Sequence, residues 1–282
     1  MGSISQGVKY MLIATFSFAL MNVSVKWLSH LPAHEIILFR SFISLIICVV
    51  MIKRKKLSFF GNSKFYLFMR GLTGTIALLL YFITLQNIPI ATAVTLQYLS
   101  PIFTSIMAIF LLGEKLRPVQ WLFFLVSFLG VTMIKGFDER VALMYLVFGL
   151  LAAIFSGFAY TFIRKVKDTD DPVVAVFYFP IVSLPIMIVW CCFDWITPQG
   201  WEWLILVMVG VFTQFGQYFM AKALVVENAA KVVSMKYIGT IYALSFGYFI
   251  FGEKYTWLSF LGILFVASGI LLNIFYKQRN TA

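Results

Sequence analysis

The charged and amide side chains that stand inside apolar runs are the residues able to do chemistry here. In VVSMKYIGTIY, Lys236 lies about four residues from the middle of a hydrophobic segment, roughly 6 Å at 1.5 Å per residue. An ammonium at that depth in hydrocarbon is costly and is a functional candidate by default. It can hold an anionic group of a substrate, or it can snorkel along its own stem to backbone carbonyls. The residue 139 positions earlier is Gln97, in a matching run. Arg40, in LFRS, sits near the middle of another segment, and Arg70, in RGL, sits nearer the end of a third. A guanidinium keeps its charge and must find partners. Each arginine is therefore either an anion clamp or a structural tie, Arg40 to carbonyls and Arg70 as a snorkelling anchor. Amides need several hydrogen bonds, so Asn22, Gln97, Gln214 and Gln217 are expected to line a wet path. Tyr81, Tyr98, Tyr160 and Tyr237 join them as candidate substrate contacts, all at helical spacing with small and hydroxyl residues. Those smaller residues also serve to pack helices together.

Other chemistries lack their residues. Glu35, Asp194, Glu202 and Glu227 lie near segment ends, and no carboxylate stands mid-segment to relay protons or act as a catalytic acid. His30 and His34 belong to one edge. Cys48, Cys191 and Cys192 have no metal or disulfide spacing and are expected to be small buried apolar residues. No catalytic residue, metal site or cofactor is expected.

These residues must be positioned by elements that live in lipid. The chain of 282 residues is 62% hydrophobic and only 12% charged, whereas a soluble domain has about 25% charged residues. A net charge of +11 is spread in short clusters between apolar runs, not along one face, so no nucleic-acid partner is implied. Ten segments reach the length of a spanning helix: 8–28, 34–52, 64–86, 89–112, 118–135, 140–163, 172–193, 201–224, 229–251 and 255–276. With ten spans both termini share a side. Thirteen basic residues fall in the loops and tails of that side, against Lys135, Arg140 and Lys254 on the other. The positive-inside rule then makes both termini cytoplasmic, in a plasma or inner membrane. Trp27, Trp195, Trp201, Trp203 and Trp257 gather near the opposite ends, as interfacial indoles do.

The chain also repeats itself. FLLGEKLRPVQW from Phe110 matches FIFGEKYTWLSF from Phe249, and ATAVTLQYLSPIF from Ala91 matches AKVVSMKYIGTIY from Ala230, at one offset. Tyr98 falls on Tyr237, and Glu114 on Glu253. Five spans separate the copies, an odd number, so the repeats point in opposite directions. That is a construction used by secondary transporters. Residues 1–138 form the first repeat and 139–282 the second, within one membrane domain. Pro101 and, close to its counterpart, Gly239 interrupt the fourth and ninth spans and mark hinges near a binding site.

Two inverted five-helix halves, the two Gly-Glu-Lys turns, the YLSP of Tyr98–Pro101 and the LFRS and RGL stretches together resemble the EamA-type proteins of the drug/metabolite transporter superfamily. The second half departs from the pattern at Gly239–Thr240, where the first has Ser100–Pro101. The resemblance implies alternating-access carriage of small polar metabolites, through a cavity built from spans one, three, four, six, eight and nine, with span two towards the periphery. The cations inside favour a substrate with an anionic group, such as an amino acid or other organic acid. An integral-membrane enzyme and a non-transporting assembly protein are the competing classes.

Overall fold

The computed structural model describes residues 5–137, 142–226 and 235–279. Arg140, Glu227 and the start of the ninth expected span lie outside them. The described residues are all-helical: α1 (Gln6–Trp27), α2 (Ala33–Lys55), α3 (Lys64–Asn87), α4 (Ile90–Gln97), α5 (Ser100–Leu112), α6 (Pro118–Phe137), α7 (Leu143–Val166), α8 (Pro172–Cys191), α9 (Glu202–Val226), α10 (Ile238–Phe251) and α11 (Trp257–Arg279). Eight spans, counting α4 and α5 as one, are long and apolar enough to cross a bilayer, and two shorter apolar helices lie in α6 and α10. The architecture is ten transmembrane helices in two inverted-topology repeats.

The repeat symmetry is visible in the packing. α3 packs on α7 as α9 packs on α1, and α3 meets α8 as α9 meets α2. α2 pairs with its mate α8, and α6 with its mate α11. Some repeat-mates touch each other, which puts a pseudo-twofold axis between them. The rings of Tyr98 and Tyr237 meet edge-on at 5.0 Å. Ser127 Oγ donates to the carbonyl of Val266 at 3.4 Å, and a Cβ added at Gly130 would stand 2.5 Å from the carbonyl oxygen of Gly262. Glycine there lets two backbones approach, the usual device for helix association in lipid.

The repeated Gly-Glu-Lys turns end helices in the same way. Gly113 closes α5 at φ 69° and Gly252 closes α10 at φ 62°, a region that costs glycine nothing. The following N–H, of Glu114 or Glu253, turns back to the carbonyl six residues earlier, Ala108 or Gly247. Satisfying a helix's orphan carbonyls in this way matters in lipid, where water is absent.

The interruption in the fourth span falls slightly before the expected residue. The helix breaks at Tyr98–Leu99, and Pro101 sits in the first turn of α5, where a missing N–H leaves no bond unmade. The second repeat turns at Lys236–Tyr237, with Gly239 N donating to the Lys236 carbonyl at 2.9 Å. Gly239 is buried and its Cα faces the Tyr98 hydroxyl, which a Cβ would strike. Both breaks therefore lie near the axis. Large apolar side chains coat the outside, including the repeat-mates Phe110 and Phe249, as expected of a lipid-facing surface. Trp27, Trp201 and Trp257 are exposed at the end opposite the termini. That end is called the far face below, and the other the terminal face.

Candidate functional site

One cavity of about 310 Å³ occupies the centre of the bundle, at the small end of the range for small-molecule sites. Asn22 of α1, Tyr81 of α3, Gln97 and Tyr98 at the α4–α5 break, Tyr160 of α7, Gln217 of α9 and Lys236 all line it. These are sequence candidates drawn from five helices and a turn. Arg40 and Arg70 line it as well. Two candidates stand elsewhere. Gln214 is turned to the Ser44 hydroxyl, to which its amide donates. Tyr237 stands behind Tyr98, ring against ring, and the first tyrosine occupies the lining position.

The cavity wall departs from the expected one. α2 contributes Arg40 and Ser44, and α8 contributes Val176 and Phe179, so the second span is not peripheral. Arg70 does not snorkel to the membrane edge. Its guanidinium carbon lies 5.6 Å from the centre of the Phe179 ring, and that of Arg40 lies 5.0 Å from the same ring. Two guanidiniums thus stand against one aromatic ring. Arg40 Nε donates to Thr213 Oγ1 at 3.2 Å. Arg40 Nη1 and Arg70 Nε and Nη1 are buried with no hydrogen-bond partner among the described residues. Phe179 carried no sequence signal, being one of 31 phenylalanines in an apolar chain. Ser44 did carry one: it stands four residues after Arg40, on the same helix face.

Lys236 occupies a different wall. Its Nζ lies 5.6 Å from the Tyr98 ring centre, within cation–π range. Tyr98 in turn donates its hydroxyl to the Lys236 carbonyl at 2.9 Å, which fixes the turn that presents the lysine. Gln97 Nε2 donates to Ser156 Oγ at 2.8 Å, leaving Gln97 Oε1 as a buried acceptor without a partner. Tyr81 donates to Asn22 Oδ1 at 3.0 Å. Among the described residues no Asp or Glu lines the cavity. Among the described residues no three metal-ligating side chains converge.

The two ends of the cavity differ. Its lining reaches Ile163, Val176 and Met220, all within two turns of the terminal-face ends of α7, α8 and α9. Towards the far face stands a largely buried ion pair, Lys26 Nζ to Glu253 Oε1 at 2.7 Å. The Glu253 carboxylate also accepts from Ile90 N at 3.0 and 3.2 Å and from the Tyr255 hydroxyl at 2.5 Å. Lys26 donates further to the Ile88 carbonyl at 2.6 Å. Ile90 begins α4, and Pro89 before it offers no capping side chain. A glutamate from the second repeat therefore caps a helix of the first, at the positive end of its dipole.

On the terminal face Glu114 pairs with Arg164. Close by, the α7–α8 loop is tied to the α2–α3 loop through Asp170. It accepts from Asn62 N at 2.5 Å and Ser63 N at 3.1 Å. Burial works against its charge, but those bonds and one from Thr169 outweigh it and hold its carboxyl below the ordinary aspartate value. The histidines stand at the far-face edge: His30 Nε2 is 2.9 Å from Glu202 Oε1, and His34 stacks on Trp190. Of the cysteines only Cys48 is buried; Cys192, at the far-face end of α8, is exposed, because the helix ends there and the chain leaves the bundle.

Residues 5–136 and again residues 143–275 match the model described as the EamA-like transporter family. The chain is 31% identical to the pseudopaline exporter CntI of Pseudomonas aeruginosa, over 96% of both chains. It is 28% identical to solute carrier family 35 member G1 of Homo sapiens, over 93% of this chain and 77% of that one. An S-adenosylmethionine uptake transporter of Rickettsia prowazekii is 26% identical, over 88% of this chain and 85% of the other. A crystal structure 18% identical in sequence superimposes over 97% of this chain and 99% of that one with a TM-score of 0.61, which is a likeness of fold.

Proposed function

The chain belongs to the EamA-like transporter family, and from that premise we propose that it carries small organic anions, such as amino acids or other organic acids, by alternating access. The observation that carries this reading is the charge of the cavity: Lys236, Arg40 and Arg70 line it, and no carboxylate among the described residues does. A buried cation without a fixed counter-charge bears a desolvation cost of several kcal/mol, and an anionic substrate offsets it. Lys236 is the residue that meets the anionic group. Its ammonium has no ion pair among the described residues, and it sits on a turn beside the axis, where movement of the two repeats converges. Asn22, Gln97, Tyr81, Tyr98, Tyr160 and Gln217 supply neutral hydrogen-bonding groups around it. The breaks at Tyr98–Pro101 and Lys236–Gly239 serve as hinges. The named relatives include an exporter and an uptake transporter, and both kinds of name support carriage over catalysis.

The terminal face is the cytoplasmic one on the charge asymmetry of the loops. Cys192 tests this directly: a membrane-impermeant maleimide should label it on intact cells, and a reporter fused after Ala282 should read cytoplasmic. Labelling of Cys192 only after the membrane is opened would reverse the topology.

Purified protein in proteoliposomes, given labelled amino acids and organic acids, should take them up above a protein-free control. Lys236→Gln should leave folding nearly intact, since the amide still hydrogen-bonds and a buried charge is gone. It should lower affinity sharply, because a charge-assisted bond is about twice as strong as a neutral one. Unchanged affinity in a fully folded Lys236→Gln protein removes Lys236 from the site.

A further inference from the structure

The arginine pair has geometry that one anionic group at Lys236 leaves unused. Arg40 and Arg70 come from α2 and α3, and both lie against the single ring of Phe179 on α8. Like charges brought together in a buried site repel, and the cost rises as the local dielectric falls. The ring face stabilises each cation in part, and Thr213 gives Arg40 one neutral hydrogen bond. Three buried donor nitrogens remain open, one on Arg40 and two on Arg70. Buried donors ordinarily have partners, and the exceptions ask for an explanation. Lys236 cannot share in this arrangement through Phe179, because it is held over Tyr98, at the α4–α5 break.

We propose that the Arg40–Phe179–Arg70 arrangement is a second anion subsite, so that the substrate carries two anionic groups, one met by Lys236 and the other gripped by the arginine pair. The inference rests on the organic-anion reading above and narrows it to dianions. Two guanidinium forks suit an oxyanion with several acceptor lone pairs, a carboxylate or a phosphate, since each fork can bond it in its own plane. A monoanion would leave one of the two positive poles buried and unmatched. A dianion in a cavity of about 310 Å³ fills both and is correspondingly favoured.

The experiment uses the purified full chain in lipid nanodiscs and two carboxylate ladders at constant ionic strength. One runs malonate, succinate, glutarate, adipate; the other runs propionate, butyrate, pentanoate, hexanoate. Binding and melting temperature are measured together. At least one dicarboxylate should bind tenfold or more tightly than the monocarboxylate of equal length. Arg70→Gln should collapse that preference to within about twofold, while Lys236→Gln should weaken both ladders. Arg70→Lys keeps the charge without the fork and should lose part of the preference. In the ligand-free state Arg70→Gln should melt no lower than the parent, because an uncompensated charge has left the interior. A clear fall in ligand-free melting temperature would make Arg70 a structural tie and overturn the subsite. Monocarboxylates that bind as well as dicarboxylates would overturn it and leave the organic-anion reading standing. Failure of both ladders, and of the labelled amino acids and organic acids above, would remove both readings.

Discussion

The two Gly-Glu-Lys turns are near-copies in sequence and differ in how deeply their glutamates are buried. At Gly252 the following glutamate is 8% exposed and bound to a lysine, a helix N-terminus and a tyrosine. At Gly113 the following glutamate is 31% exposed and faces an arginine that is 38% exposed. The backbone does the same thing in both places, ending a helix with a left-handed glycine. Both glutamates reach a cation at the end of the other repeat's first helix, Arg164 of α7 for Glu114 and Lys26 of α1 for Glu253, and the difference is that the second pair is the more deeply buried. The first turn lies at the terminal face, where the cavity lining approaches the ends of α7, α8 and α9. Two halves alike in sequence thus hold corresponding ion pairs at unequal depth.

That inequality is open to direct attack, and the largest effect should come at the buried turn. Glu253→Ala leaves Lys26 buried without its partner and α4 without its cap, a loss of about 3–5 kcal/mol by comparison with other broken buried pairs. Glu114→Ala, at the more exposed of the two pairs, should cost less, because water screens that pair more. Melting temperatures of the two variants in one detergent decide it, and equal losses would mean that the ends are balanced in solution. The Glu253 variant should also loosen the far-face end, read as faster reaction of a cysteine placed at Asn22 with an impermeant thiol reagent presented on the far-face side.

A smaller effect separates the two tyrosines at the axis. Tyr98→Phe removes the bond to the Lys236 carbonyl and should cost about 0.5–1.5 kcal/mol, together with looser presentation of Lys236 and weaker binding of organic anions. Tyr237→Phe, at a ring that packs behind Tyr98, should change affinity less. Paired titrations of one organic acid sharpen the comparison, and a greater loss at Tyr237 would reverse the assignment of which tyrosine faces the cavity.

The smallest effect lies in the terminal-face loops. Asp170 titrates below its ordinary value because its charged form is hydrogen-bonded in the folded protein. Its contribution is therefore present above the unfolded aspartate pKa, about 3.9, and is lost as pH falls through the depressed folded value. Asp170→Asn should lower the melting temperature by roughly 2–4 °C per kcal/mol lost at neutral pH, and the gap from the parent should close as the pH falls below about 4. A gap that persists unchanged at low pH would show that the carboxylate charge is not what ties the loops.

The Gly-Glu-Lys turns, the offset of 139 residues, the ten spans and most of the cavity candidates were legible before any coordinates. Each rests on a cost that a residue bears against lipid or against its own backbone: an apolar run long enough to cross, a glycine where a helix must end, an ammonium in hydrocarbon. Asn22, Tyr81, Gln97, Tyr98, Gln217 and Lys236 could be chosen on that ground because a polar group within a span must face something other than lipid. The convergence of Arg40 and Arg70 on Phe179, the turning away of Gln214 to Ser44, and the burial of Glu253 against the exposure of Glu114 were decided only in three dimensions. Most faces of these helices are apolar, so sequence periodicity says little about which neighbour a given face meets. That choice comes from many weak packing contacts summed over the whole bundle, and it is what brings charges from separate helices to one ring.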